Sequence, residues 1–241
     1  MKITNNKIDL GEAINDSLEI YKKIAVTGGL AFMAIMIIVT VFIGIGISAF
    51  VDLDKFSETM RTFNPNTLSM QGKLIYMGIV VVFSVLISPF NAGMIKIAEQ
   101  ADKNEKVEFS SLFKYVNSKH YVDIILFSAI LVIISVGSSM VLKDLIPNFL
   151  GSALGFMISF FITTVTFIGI PLIIFKEMNF INALKYSISN ILKQFFMVLL
   201  LIVLAQIAAF IGIFLFCFGI FFTFPFYYAM QYVIYKKITE I

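Results

Sequence analysis

The 241-residue chain is 59% apolar, 15% aromatic and only 14% charged, with a net charge of +3 and a mean hydropathy of +0.95. A soluble domain carries about 25% charged residues, so the composition excludes an ordinary soluble enzyme, a disordered chain and a nucleic-acid binder. One cysteine (Cys217) and one histidine (His120) exclude an internal disulfide and a multi-histidine metal centre. No cofactor is expected, and the class that is left is an integral membrane protein.

Charge-free intervals place the spans. In chain order, residues 24–51, 74–95, 124–142, 145–175 and 194–235 contain no Asp, Glu, Lys or Arg. A crossing helix needs about 20 apolar residues, so the last interval is read as two spans joined by a turn near 212–219. Backbone groups in lipid must be paired within their own segment, which makes every span a helix. The first run starts behind a polar segment and exceeds a signal-peptide core of about 7–15 residues, so it is expected to be retained.

The basic residues set the orientation. Of the 18 Lys and Arg, 14 fall at the N-terminus, in the second and fourth loops or at the C-terminus, against Lys55, Arg61, Lys73 and Lys143 on the other side. The positive-inside rule then puts both termini in the cytoplasm of a bacterial inner membrane. Tyr21, Tyr115, Tyr121, Tyr186, Tyr232 and Tyr235 lie near the same boundary, as interfacial anchors do. Lysine in place of arginine, with abundant Ile, Phe and Asn, points to an AT-rich bacterial genome.

Three amphipathic segments precede the odd-numbered spans. Leu10, Ala13, Ile14, Leu18 and Tyr21 share a helical face opposite Glu12, Asn15, Asp16 and Glu19. Phe109, Leu112, Phe113 and Val116 oppose Ser111, Lys114 and Asn117, and Ile181, Leu184, Ile188, Ile191 and Leu192 oppose Asn182, Lys185, Ser189 and Lys193. Each returning span carries a proline: Pro89, Pro171 and Pro225. Pro89-Phe90-Asn91-Ala92-Gly93-Met94 aligns with Pro225-Phe226-Tyr227-Tyr228-Ala229-Met230, and Ala13-Ile14-Asn15-Asp16-Ser17 with Ala183-Leu184-Lys185-Tyr186-Ser187. The expected fold is therefore all-α: a polytopic membrane bundle of six transmembrane helices with three cytoplasmic-side amphipathic helices. One domain, residues 1–241, comprises three parallel helix-span-span repeats, roughly 7–100, 107–178 and 179–238.

Few residues offer chemistry. The prolines are candidate kinks, read as shaping the bundle or, alternatively, as gating hinges. Asn91 could line a polar crevice beside Pro89. Gln206, among Ala205, Ala208, Ala209 and Gly212, reads as an interhelical hydrogen-bonding residue, and Gly151, Gly155 and Ser159 as a close-packing stripe. His120 and Asp123 lack a nearby nucleophile or metal shell and read as boundary residues. Cys217 reads as a small apolar residue, and residues 52–73 as a solvated loop of mixed charge. No catalytic or metal-binding residue is expected.

Asn182-Ala183-Leu184-Lys185-Tyr186-Ser187, followed by a span pair ending in Pro225-Phe226-Tyr227-Tyr228-Ala229, resembles a group of bacterial multi-pass proteins. Those are similar to the membrane domain fused to some glycerophosphodiester phosphodiesterases. The resemblance covers nearly the whole chain and implies a stand-alone membrane module, since the phosphodiesterase's soluble catalytic barrel has no counterpart here. The expected function is that of a non-enzymatic scaffold or accessory module interacting with lipids or a partner complex. The alternative is a permease or channel for a lipid-like or amphiphilic solute, which requires a central or lateral cavity. The expected partners are the lipid bilayer and a membrane protein or second copy, not nucleic acid.

Overall fold

The computed structural model describes residues 8–50, 61, 69–146, 149–214 and 218–239. Among them every element is helical and no strand forms. The helices are α1 (Leu10–Phe50), α2 (Met70–Asp102), α3 (Tyr121–Leu145), α4 (Phe149–Val165), α5 (Gly169–Lys176), α6 (Phe180–Ile191), α7 (Phe195–Ile211), α8 (Gly219–Thr223) and α9 (Pro225–Thr239). A short 3-10 segment, Phe109–Phe113, lies between α2 and α3. Serine and asparagine caps start two of the helices: Ser69 accepts the Gly72 N–H ahead of α2, and Asn179 accepts that of Asn182 ahead of α6.

Five helical stretches among the described residues are long and apolar enough to cross a membrane: Leu10–Phe42, Met70–Asp102, Tyr121–Leu145, Phe149–Lys176 and Phe180–Phe214. Large apolar side chains cover their outer surfaces, Phe149, Phe196 and Phe214 being more than four-fifths exposed. Such a surface belongs against hydrocarbon, and the chain is read as a multi-pass membrane protein. The sixth expected span falls on α8 and α9, which break at Phe224 and are each too short to cross alone. Pro225 opens α9 because it has no N–H to continue α8, and proline is well placed at a first helical position.

The amphipathic segments differ from expectation in form. The first is continuous with the first span, since no glycine or proline interrupts α1 between Gly11 and Gly28. The second is the brief 3-10 segment rather than an α-helix. In all three, small side chains meet the protein: Ala13 and Ser17, Ser111 beside Leu112, and Ala183 and Ser187 are buried. Of the apolar faces read from the sequence, Ala13, Leu112 and Ile191 are buried, whereas Leu18, Phe109, Phe113, Val116, Ile181 and Leu192 are exposed. Close approach of two helix backbones in a membrane favours small residues, and large apolar ones lose nothing by facing lipid.

The centre of the bundle is α9. It packs on α1, α2 and α7 and touches α5. Nearly all of it is buried, including Met230, Val233 and Ile234. Against α1 the contact is close, for a Cβ added at Gly28 would stand 3.0 Å from the Pro225 ring, and one at Gly29 3.1 Å from the Phe221 carbonyl oxygen of the adjoining α8. At one end of the bundle, Lys237 pairs with Asp16 at 2.9 Å and Glu12 at 3.4 Å, and Lys236 with Asp102 at 2.7 Å. We call this the terminal end, and the opposite one, where α3 meets α4, the far end.

Gly93 shows how tightly α2 is seated on the 3-10 segment, because a Cβ there would lie 2.2 Å from the Leu112 carbonyl oxygen. Gly93→Ala is expected to lower the thermal midpoint in detergent. Overpacking against backbone costs about 1–3 kcal/mol and outweighs the roughly 1 kcal/mol that alanine gains over glycine in a helix. Gly137→Ala, which opens onto free space, should leave the midpoint unchanged or raise it.

Candidate functional site

A proline inside a helix leaves the carbonyl four residues earlier without its N–H donor. In hydrocarbon no water can take that place. Pro89 lies within the uninterrupted helix α2, and the Val85 carbonyl that it orphans accepts the Ser88 hydroxyl at 2.9 Å. Pro171 stands in the first turn of α5, after the break between α4 and α5, and its orphan is Phe167. That carbonyl accepts the Gln231 side-chain amide from α9 at 2.7 Å. Val165, at the same break, accepts the Ser187 hydroxyl from α6 at 2.8 Å. Of the three expected kinks, two are therefore helix breaks and one is an intact helix.

Beside that break lies a crevice of about 190 Å3, lined by Asn91, Thr163, Thr166, Tyr227, Tyr228 and Gln231 with apolar neighbours including Leu131 and Ile162. Asn91 Oδ1 accepts the Tyr228 hydroxyl at 2.7 Å. The other predicted residues do not join it. Pro89 lines a separate apolar groove of about 150 Å3 between α1 and α2, and Pro225 is buried against Gly28. Gln206 is half-buried on α7 and makes no side-chain hydrogen bond among the described residues.

A larger crevice, about 430 Å3, opens at the far end among α2, α3 and α4. Its volume falls in the range of small-molecule sites, roughly 300–1,000 Å3. Lys73, Tyr76, Lys143 and Asp144 stand at its mouth, and Ser135, Ser139 and Ser159 line its depth with Val136 and Met140. Lys73 pairs with Asp144 at 2.5 Å. Ser139 donates to the Gly155 carbonyl at 3.1 Å and lies 2.9 Å from the Ser159 hydroxyl, which reaches the Ser135 carbonyl at 3.2 Å. Gly155 makes this contact possible, since a Cβ on it would stand 3.1 Å from Ser139 Cα. The stripe Gly151, Gly155 and Ser159 thus seats α4 on α3.

The two polar crevices share one seam. Along α3 the smaller is lined by Phe127 and Leu131, the larger by Ser135, Ser139 and Lys143. Along α4 and just past its end the smaller is lined by Ile162, Thr163 and Thr166, the larger by Ser159. Leu131 and Ser135, like Ser159 and Thr163, are four residues apart, about one turn or 6 Å. Neither the family-model scan nor the searches of curated proteins and of solved structures matched this chain. The resemblance to phosphodiesterase membrane domains therefore stands on its quoted residues alone.

The terminal end is rich in charged side chains. Glu99 is buried between Lys96 and Lys103. The hydrogen bond from Lys103 to Glu99 raises the lysine's pKa above its usual value, although burial opposes this. Burial pushes the nearby Tyr115 phenol well up, helped by the Glu99 charge. Glu177, exposed and hydrogen-bonded to Lys119, is held below the usual carboxylate range. Asp123 accepts the Phe180 N–H at 3.0 Å and so positions α6 instead of pairing with His120. Among the described residues no His, Cys, Asp and Glu group could hold a metal ion. Cys217 and most of the 52–73 loop lie outside them.

Two residues passed unnoticed in the sequence. Glu99 had a signal, Lys96 three residues before it and Lys103 four after, which places both cations on its helical face. Gln231 had none. Gln231→Leu would leave the Phe167 carbonyl unpaired in the protein interior, which costs about 1–3 kcal/mol. The variant should unfold at a lower denaturant midpoint, and exchange at the amides around residues 166–171 should accelerate more than exchange elsewhere.

Proposed function

We propose that the chain is a non-enzymatic multi-pass membrane module that holds an amphiphilic, lipid-like molecule in the far-end crevice. The observation that carries this reading is the crevice itself, with ionic groups at its mouth and hydroxyl and apolar side chains in its depth, opening where long apolar helices end. Lys73 is committed to Asp144, and no serine there hydrogen-bonds a lysine, so a nucleophile beside a base is lacking among the lining residues. On this reading α8 and α9 together form a sixth span. The terminal end faces the cytoplasm of a bacterial inner membrane, in keeping with the sequence pattern that assigns 14 of the 18 basic residues to that side. The buried pairs Ala13–Ser17 and Ala183–Ser187 support three helix-span-span repeats, and the exposed Leu18, Phe109, Phe113, Ile181 and Leu192 support segments resting in the interface.

The test is lipid retention. Protein purified in mild detergent should carry lipid detectable by mass spectrometry after delipidating washes, and Val136→Phe, which fills the crevice from its wall, should carry less. Lipid-free wild type, or equal retention by both, would overturn the reading.

A second reading, passage of the amphiphile across the bundle, is favoured by the seam that joins the two polar crevices. Leu131→Ser replaces an apolar side chain where they meet and should speed flipping of a fluorescent phospholipid in proteoliposomes several-fold. Rates for wild type and variant equal to protein-free vesicles would count against passage.

A further inference from the structure

We propose that the far-end crevice is selective for an anionic phosphate ester, taken from the headgroup of an anionic phospholipid or from a soluble glycerol phosphate. This rests on the reading of that crevice as an amphiphile site and names the ligand's chemistry.

The argument starts from a charge inventory. Three ionic groups line the crevice: Lys73, Lys143 and Asp144. Lys73 and Asp144 neutralise each other at 2.5 Å. Lys143 has no ion-pair or hydrogen-bond partner among the described residues, and it is only half exposed to solvent. Among the described residues the lining therefore carries one uncompensated positive charge. It sits in the last turn of α3, where the helix's partial negative charge steadies a cation but is too small to neutralise it. A zwitterionic headgroup would bring an ammonium to a place that already holds a cation, whereas a headgroup with a net negative charge completes the balance.

The hydroxyls define the rest of the ligand. Ser139 lies one turn below Lys143 and Ser135 two turns below, on the same side of α3, with Ser159 opposite on α4. Ser139 and Ser159 use their hydrogens within the protein and keep lone pairs to accept with, and the Ser135 hydroxyl has no partner among the described residues. A phosphate at Lys143 would thus place its glycerol portion against groups that can both donate and accept. Val136 and Met140 supply apolar wall beside them.

The experiment is a competition read by native mass spectrometry on the detergent-purified full chain. The protein is offered equimolar phosphatidylglycerol and phosphatidylcholine, then glycerol phosphate alone. Wild type should bind phosphatidylglycerol about fivefold in preference, the effect of one lysine on an anionic lipid. Lys143→Gln should abolish the preference, Lys143→Arg should keep it, and Lys185→Gln, an exposed terminal-end control, should leave it intact. Preference for phosphatidylglycerol supports the lipid source. Glycerol phosphate adducts that depend on Lys143, without a lipid preference, support the soluble source. Equal binding of both lipids that Val136→Phe abolishes would overturn the anionic selectivity and leave the amphiphile reading standing. A preference that survives Lys143→Gln would put the anion elsewhere and overturn the inference. Binding of none of the three compounds would overturn both.

Discussion

A carbonyl released inside a hydrocarbon layer has no water to turn to, and the arrangement of this bundle follows from where its released carbonyls find donors. The helix break before Pro171 frees Val165 and Phe167, and two other helices answer it, α6 with Ser187 and α9 with Gln231. Each of these bonds fixes the rotation and height of the helix that supplies it. Pro89 needs no such help, because Ser88 beside it caps Val85 from within the same helix. The two situations differ in consequence: one proline is absorbed locally, whereas the other ties a break in the fourth crossing to the middle of the protein.

That tie explains the distribution of polarity. The most polar of the long apolar intervals runs through α9, with Gln231 and the tyrosines Tyr227, Tyr228, Tyr232 and Tyr235, and it is also the most buried. Lipid offers no partner for these groups, while neighbouring helices offer Phe167, Asn91 and Asp102. The purely apolar helices stand outside, where Phe196 and Phe214 meet hydrocarbon at no cost. A soluble protein sorts its residues the other way. Without a hydrophobic force between helices, association rests on close packing at Gly28, Gly29, Gly93 and Gly155 and on these hydrogen bonds.

The helical class and the crossing intervals were legible because charge is excluded from hydrocarbon, and charge is easy to see in a sequence. The packing stripe at Gly151, Gly155 and Ser159 was legible for a similar reason, as small residues stand out against an apolar background. Which helix sits at the centre was not. When surroundings and interior are both apolar, periodicity no longer distinguishes inside from outside, so the apolar faces could not say that Ala13, Leu112 and Ile191 would be buried while Leu18, Phe113 and Ile181 are exposed. The far-end crevice was invisible because its lining converges from three helices, and Ser135 and Ser139 read alone as ordinary span residues. Gln206 drew notice as the polar residue in its span, yet Gln231 is the glutamine that faces an orphaned carbonyl.

The place of α9 in the chain bears on how the protein is made. Every helix that α9 touches leaves the ribosome before it does, so the earlier helices enter the bilayer around a position still empty. Until Gln231 arrives, the Phe167 carbonyl lacks its native donor, and Asn91, already inserted, lacks its tyrosine. Assembly therefore has a late closing step in which one helix is taken up by neighbours that have waited for it. A stalled or shortened translation product would present those unpaired polar groups to lipid and to the cell's membrane quality control.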